Sequence, residues 1–231
     1  MPKVNLMPQC PCKNVCASRV PIFQDLSPQE LARFNDILTT NEYASGDIIY
    51  HQGSPARVLC IVNTGAVKLF KTSPEGKEQV LRLLRPGDFF GEAVLFSEHA
   101  RSASAQALEP SKICQLDKYM AEDIIHRNPE IAHKLIAALN LRLLQAEDQI
   151  ENLGTRTTLQ RVANLLVELA EEQESAIITL PLSREGLASL TGMTVENFSR
   201  KLSELQQQGL VQAQGRKKLA LTDLPALKQL T

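Results

Sequence analysis

The chain has 231 residues, of which 43% are hydrophobic and 22% charged, so it can bury a core in one large or two small domains and is not disordered throughout. Its 25 basic and 26 acidic side chains leave a net charge of −1, which excludes a protein that is basic overall but not one with a local basic surface. The sequence has no apolar run near the ~18 residues of a membrane helix and no signal-peptide pattern at its start. We therefore expect a cytoplasmic protein with no membrane partner.

The cysteines are unevenly spread: Cys10, Cys12, Cys16, Cys60 and Cys114. Their odd number, without a secretion signal, argues against a structural disulfide framework. Residues 1–20 show no apolar periodicity and are predicted to form an N-terminal arm. Three thiols crowded into that arm indicate chemistry rather than core packing.

A short helix is predicted after Ser27, because Ser27 and Glu30 have the spacing of a capping box with proline at the first helical position. From Tyr43 to Asp117, short segments of alternating apolar residues are separated by glycines about ten residues apart. This pattern is typical of an all-β roll or barrel, and we assign residues 21–127 to a sensory β-roll domain.

Helical periodicity returns at Asn128 and Pro129, and apolar residues then recur at steps of three and four. The segment 128–154 is predicted to be a long dimerisation helix, because a heptad seam sustained for three repeats is typical of paired helices. Packing of the same helix on its own roll is the alternative. The predicted seam comprises Ile136, Leu139, Leu143, Ala146, Ile150 and Leu153.

Residues 155–231 are predicted to form a second compact unit. Two short helices, capped by Ser183 and Thr194 and joined by a glycine turn, precede two strands that flank residues 214–217. Helix, turn, helix and hairpin in this order indicate a winged helix-turn-helix. The predicted fold is thus α+β: an N-terminal β-roll, a long dimerisation helix and a C-terminal winged helix-turn-helix.

Charge is concentrated in the same unit. Residues 181–220 hold six basic and three acidic side chains, a local charge of +3. The excess lies on the second helix and at the hairpin tip, where such modules contact DNA phosphates. A solvated basic face is the alternative, but the topology favours DNA binding.

This order of elements resembles the bacterial CRP/FNR family of transcription regulators, whose roll is a double-stranded β-helix of the cyclic-nucleotide-binding type, and the likeness covers residues 20–231. The segment Thr194–Arg200 is similar to the recognition helix of the FNR branch and implies an inverted repeat of TTGAT type. Glu196, Ser199 and Arg200 share one helix face and suit contacts to base edges, although Glu196 and Arg200 could instead pair with each other. The predicted contacts to double-stranded DNA are Ser183, Thr194, Glu196, Asn197, Ser199, Arg200, Lys201, Arg216 and Lys217.

The segment 105–114 is similar to the FNR segment that carries an internal cysteine ligand. The resemblance implies that Cys10, Cys12, Cys16 and Cys114 hold an iron–sulfur cluster, of [4Fe–4S] type, that senses oxygen or redox state. The arm reads C-x-C-x3-C, which is tighter than the C-x2-C-x5-C of the family. A thiol–disulfide switch, a zinc site and inert thiols therefore remain alternatives, while Cys60 is predicted to be a core residue.

A third stretch resembles the phosphate-binding cassette of CRP. Glu92, Arg101 and Ser102 could bind a nucleotide or another small anionic ligand. The loop is one residue shorter than in that branch, and Ala146 and Glu147 replace its adenine-contacting Thr-Ser pair, which argues against cyclic AMP. The resemblance also implies that Ala146 replaces an aspartate of the oxygen regulators and favours dimerisation of the apo-protein.

We expect no enzymatic activity, because no two of the four histidines (His51, His99, His126 and His133) have metal-ligand spacing on a predicted strand. The expected partners are double-stranded DNA and a second copy of the chain. RNA polymerase is a further expected partner if the regulator activates transcription.

Overall fold

The computed structural model describes residues 20–96 and 100–231. The predictions made for Cys10, Cys12, Cys16 and His99 therefore lie outside the described residues. The chain divides into two compact units, one extending to Thr72 and including Leu81–Leu141, the other formed by Ser73–Val80 and Arg142–Thr231.

In the described part of the first unit and the adjoining β5, the strands form two four-stranded sheets with the orders β1-β8-β3-β6 and β2-β7-β4-β5. These sheets make up the predicted roll. The strands are β1 (Thr39–Tyr43), β2 (Ile48–Tyr50), β3 (Val58–Thr64), β4 (Val67–Thr72), β5 (Glu78–Leu84), β6 (Phe89–Phe90), β7 (Ser104–Ala107) and β8 (Ser111–Asp117).

Strand β3 shows how the roll forms its core. Successive side chains of a strand point to opposite faces, and both faces of β3 are buried. Leu59 and Ile61 join one apolar cluster, whereas Cys60 and Val62 join a second. Cys60 is fully buried, and burial raises the pKa of its thiol to about 12, so its predicted place in the core is confirmed.

Most of the described helices begin directly after a capping side chain. Ser27 and Glu30 form both bonds of the predicted capping box. The long helix starts at Pro129, as predicted, and ends one residue beyond Gly154. The helices are α1 (Pro28–Ile37), α2 (Lys118–Arg127), α3 (Pro129–Thr155), α4 (Thr158–Glu172), α5 (Arg184–Leu190), α6 (Val195–Gln207) and α7 (Leu224–Leu230). None of the described helices is long and apolar enough to cross a membrane.

The second unit has the predicted topology. Helix α6 packs against α4 and α5, and a three-stranded antiparallel sheet follows the order β10-β11-β9. Its strands are β9 (Ile177–Thr179), β10 (Val211–Ala213) and β11 (Lys218–Leu221). The α+β fold and the winged helix-turn-helix are confirmed.

Candidate DNA interface and sensor sites

Helix α6 has one buried and one exposed face. Thr194 caps it by accepting a hydrogen bond from the Asn197 amide (3.3 Å). Phe198, Leu202 and Leu205 are buried and fix the helix on its unit. This packing leaves the opposite face of α6 open to a ligand.

The predicted base-reading residues lie on that outer face. Glu196 and Arg200 are exposed, and Ser199 is half-buried. Hydrogen bonds from its own backbone N–H and from the Thr194 hydroxyl lower the pKa of the Glu196 carboxyl. The guanidinium of Arg200 donates to Asn197 Oδ1 (2.9 Å). The face therefore presents an acceptor and a donor to a base edge.

The other predicted DNA contacts differ in whether their side chains are already bonded within the protein or exposed to solvent. The Ser183 hydroxyl accepts from the Gly186 amide as the cap of α5. Lys201 is engaged by Glu204, with Nζ and Oε2 2.7 Å apart. Arg216 and Lys217 are exposed at the tip of the β10–β11 hairpin, which corresponds to the wing.

Arg184 was not among the predicted DNA contacts, although it lies beside one of them. It is the first residue of α5, and its Nη1 donates to Ser199 Oγ across 3.5 Å. This places a second guanidinium beside the reading face of α6. The sequence signal for Arg184 was its place among the six basic side chains of residues 181–220.

Most of the predicted seam on α3 is exposed. Ile136, Leu143 and Ile150 are 63%, 57% and 70% exposed, an unusual state for large apolar side chains in a row. Leu139 instead packs against the apolar cluster of the first unit. Leu153 is 38% exposed and lies against Gly192, where an added Cβ would come within 2.6 Å of Leu153 Cδ2.

Cys114 occupies the middle of β8, between β1 and β3. Its Cα is in register with Thr40 on one side and Ile61 on the other. The thiol is fully buried, and its Sγ lies 3.5 Å from Thr40 Oγ1. Val20, the first described residue, belongs to the same apolar cluster. Val20, the last residue of the predicted arm, therefore lies in the same cluster as Cys114.

Within 20–96 and 100–231, no group of three or more His, Cys, Asp or Glu side chains could hold a metal ion. Cys114 alone of the four predicted cluster ligands falls in these ranges. The proposed ligand set thus remains a prediction from the sequence.

Arg101, the predicted anion ligand of the roll, is 7% exposed and already engaged. Its Nη2 donates to the Val58 carbonyl (2.6 Å) and its Nη1 to the Gly91 carbonyl (3.3 Å). The guanidinium also lies 4.3 Å from the centroid of the Tyr50 ring, a cation–π contact. Its Nε is buried with no hydrogen-bond partner among the described residues.

Gly91 makes this arrangement possible. Its φ of +78° is in the left-handed region, and an added Cβ would collide with Arg101 Nη1. The other two residues of the predicted ligand site are Glu92, in the segment before Arg101, and Ser102, directly after it. Glu92 opens a short 3₁₀ turn and is half-buried, whereas Ser102 is exposed.

Comparison with known proteins agrees with this architecture. The cyclic nucleotide-binding domain matches residues 40–128, and the Crp-like helix-turn-helix domain matches residues 160–230. The "Cyclic AMP receptor protein" of Thermus thermophilus is 35% identical over 193 residues, which cover 83% of this chain and 88% of that protein. The chain belongs to the CRP/FNR family of transcription regulators.

Further relatives of this regulator are of more than one kind. The "Transcriptional activator protein anr" of Pseudomonas aeruginosa is 24% identical over 93% of this chain and 90% of its own. The structure of FixK2 from Bradyrhizobium japonicum has a TM-score of 0.76 and 30% identity, covering 84% of this chain and 97% of that chain. Family membership thus establishes a DNA-binding regulator but leaves its signal to be inferred from the site.

Proposed function

We propose that this regulator is a homodimer that senses oxygen or redox state through Cys10, Cys12, Cys16 and Cys114 and reads a TTGAT-type inverted repeat. The observation that carries the proposal is the position of Cys114. Its thiol is buried in the apolar cluster that also contains Val20, the last residue of the predicted arm. RNA polymerase remains a predicted partner.

The same cluster reaches the dimerisation helix. Ile131 and Leu135 of α3 are each 2% exposed and belong to the cluster that contains Cys114. A change in the bonding of this thiol would alter the packing under the first turns of α3. Contiguous packing of this kind is a physical route from a sensor to a helix.

The chemistry of the donor set fits an iron–sulfur cluster, because four thiolates are its usual ligands. When bound, the iron–sulfur cluster would supply a centre whose integrity depends on oxygen. Cys114 is the buried ligand of this proposal, and the three arm cysteines are the others. A disulfide switch and a zinc site use the same residues, so composition analysis must separate them.

Control by a nucleotide or another small anion is the second candidate. One observation favours it: Arg101 Nε is buried without a partner among the described residues. Against it, both terminal nitrogens of Arg101 donate to backbone carbonyls, and Tyr50 covers one face of the guanidinium. A phosphate would have to displace these contacts.

Anaerobic purification followed by an absorption spectrum and iron, sulfide and zinc analysis tests the sensor. We expect a brown protein with bound iron that bleaches in air, and Cys114→Ser should lose the iron. A colourless protein whose operator affinity responds to dithiothreitol would replace the cluster with a disulfide switch. A colourless protein that ignores redox state and binds operator more tightly with a cyclic nucleotide would support the second candidate.

Dimerisation gives a separate prediction. We expect the apo-protein to be dimeric at micromolar concentration, because Ala146 is exposed on α3 and places no charge in the seam. Ala146→Asp should raise the dimer dissociation constant at least about tenfold, since it opposes two like charges.

Sedimentation equilibrium measures this change. Gln145→Asp is the matched control, because it adds the same charge at an exposed neighbouring position outside the seam. A monomeric wild-type apo-protein, or equal weakening by both variants, would contradict the predicted seam.

A further inference from the structure

The joint between α3 and α4 is short and firmly built. Only Arg156 and Thr157 separate the two helices. Thr157 and Gln160 form a reciprocal capping box, with the Thr157 N–H donating to Gln160 Oε1 across 2.9 Å. The capping box therefore fixes the start of α4 to Thr157, the last residue of the joint.

Arg161 bridges this joint to the helix-turn-helix. Its Nε donates to the Arg156 carbonyl (3.2 Å), and its Nη1 donates to the Thr191 carbonyl (3.4 Å). Thr191 is the C-cap of α5, is 7% exposed, and stands three residues before the cap of α6. One guanidinium thus joins the end of the long helix to the turn that precedes the recognition helix.

A second contact lies beside the first. Gly192, in the same turn, has φ +66°, and Leu153 from the last turn of α3 packs directly over it. A Cβ at Gly192 would also lie 3.7 Å from Arg161 Nη1, so both contacts meet at this glycine. All of these residues belong to the second unit.

We infer that Arg161 is a positioning residue that fixes α6 relative to the end of α3 and thereby sets the half-site spacing that the dimer accepts. The inference rests on the proposed dimeric DNA binding. If α3 lies at the twofold axis, the placement of α6 on α3 determines the separation of the two recognition helices. One base pair corresponds to about 3.4 Å along DNA, so a small rotation at the joint matters.

The test uses the full-length regulator and an operator selected by the wild-type protein from random inverted repeats. Dissociation constants are then measured at the selected spacing and with one base pair added or removed. We expect the wild type to bind the selected spacing more tightly than the altered ones. Arg161→Ala should reduce the ratio of the dissociation constants at altered and selected spacings by roughly 2- to 30-fold. Arg161→Lys should be intermediate, because an ammonium cannot span both carbonyls as a guanidinium does.

Arg156→Ala is the matched control, since it removes the same charge from the joint but keeps the carbonyl that accepts the bond. It should leave spacing discrimination unchanged. A uniform loss of affinity at all spacings in Arg161→Ala would reduce the residue to a structural role and overturn the inference. So would a wild type that does not discriminate.

Hydrogen exchange tests the bridge made by Arg161 without DNA. The amides of Gly192 and Met193 donate to the carbonyls of Ser189 and Ala188. Arg161→Ala should speed their exchange, and Arg156→Ala should not. Unchanged exchange in Arg161→Ala would show that Arg161 does not hold the turn before α6. Failure of the wild type to select any inverted repeat would instead overturn the proposed function, and the exchange result would then decide the role of Arg161.

Discussion

Replacing Arg200 by alanine is expected to weaken binding to the specific operator by about 1–3 kcal/mol, or roughly 5- to 150-fold, and to relax the preference at one base pair of each half-site. Arg200 is exposed on the outer face of α6, where its guanidinium is oriented by Asn197. A guanidinium can donate two bonds to guanine, and alanine can donate none. Titration of the wild-type and altered operators by fluorescence anisotropy measures both effects.

Lys217→Ala is the control for this substitution, because Lys217 is exposed on the wing and is predicted to contact phosphate. It should weaken binding by a similar factor on every sequence and reduce the salt dependence of binding. If Arg200→Ala behaved in the same way, Arg200 would be a phosphate contact, and the reading face assigned to α6 would be wrong.

Phe198→Ala should lower the free energy of unfolding of the second unit by about 3–5 kcal/mol, the usual cost of truncating a buried phenylalanine. Phe198 is 1% exposed and lies on the face of α6 that packs against α4 and α5. Hydrogen exchange of α4 and α6 in the full chain is the suitable measurement, because the two units need not unfold together.

Val195→Ala provides the comparison within the same helix. Val195 is 37% exposed, and its truncation should change stability by less than about 0.5 kcal/mol. Comparable destabilisation by the two variants would show that the buried face of α6 is misassigned.

The fold could be predicted from local signals. The capping residues Ser27, Ser183 and Thr194 each start a helix where the sequence indicates, because a hydroxyl that accepts from a backbone amide is a local interaction. The strands of the roll could also be predicted, because the glycines that mark the turns between them are a local signal. Helices α2 and α7 were not predicted, although each begins after an aspartate cap, Asp117 and Asp223, which is also a local signal.

The sites could be predicted only in part. The exposed face of α6 follows from helical spacing, which is local. Arg101 donates a hydrogen bond to the Val58 carbonyl, 43 positions away in the chain, and no local sequence pattern predicts this bond. The contact of Leu153 with Gly192 is equally non-local, so a residue assigned to the dimer seam also contacts the helix-turn-helix.

The position of Cys114 likewise becomes evident only in three dimensions. Its sequence context implies a ligand, but the structure adds that its thiol shares one cluster with Val20 and with Leu135 of α3. That juxtaposition brings together the predicted sensor thiol, the last residue of the predicted arm and the predicted dimerisation helix. Arg101 is less suited to a sensor role, because both of its terminal nitrogens already donate to backbone carbonyls.

The most direct test of redox control is the operator dissociation constant of anaerobically purified protein, measured before and after exposure to air, for the wild type and for Cys114→Ser. We predict that air weakens binding by the wild type and that the variant has lost this response. Equal affinity of the wild type before and after air, or a response that Cys114→Ser retains in full, would contradict a sensor built on this thiol.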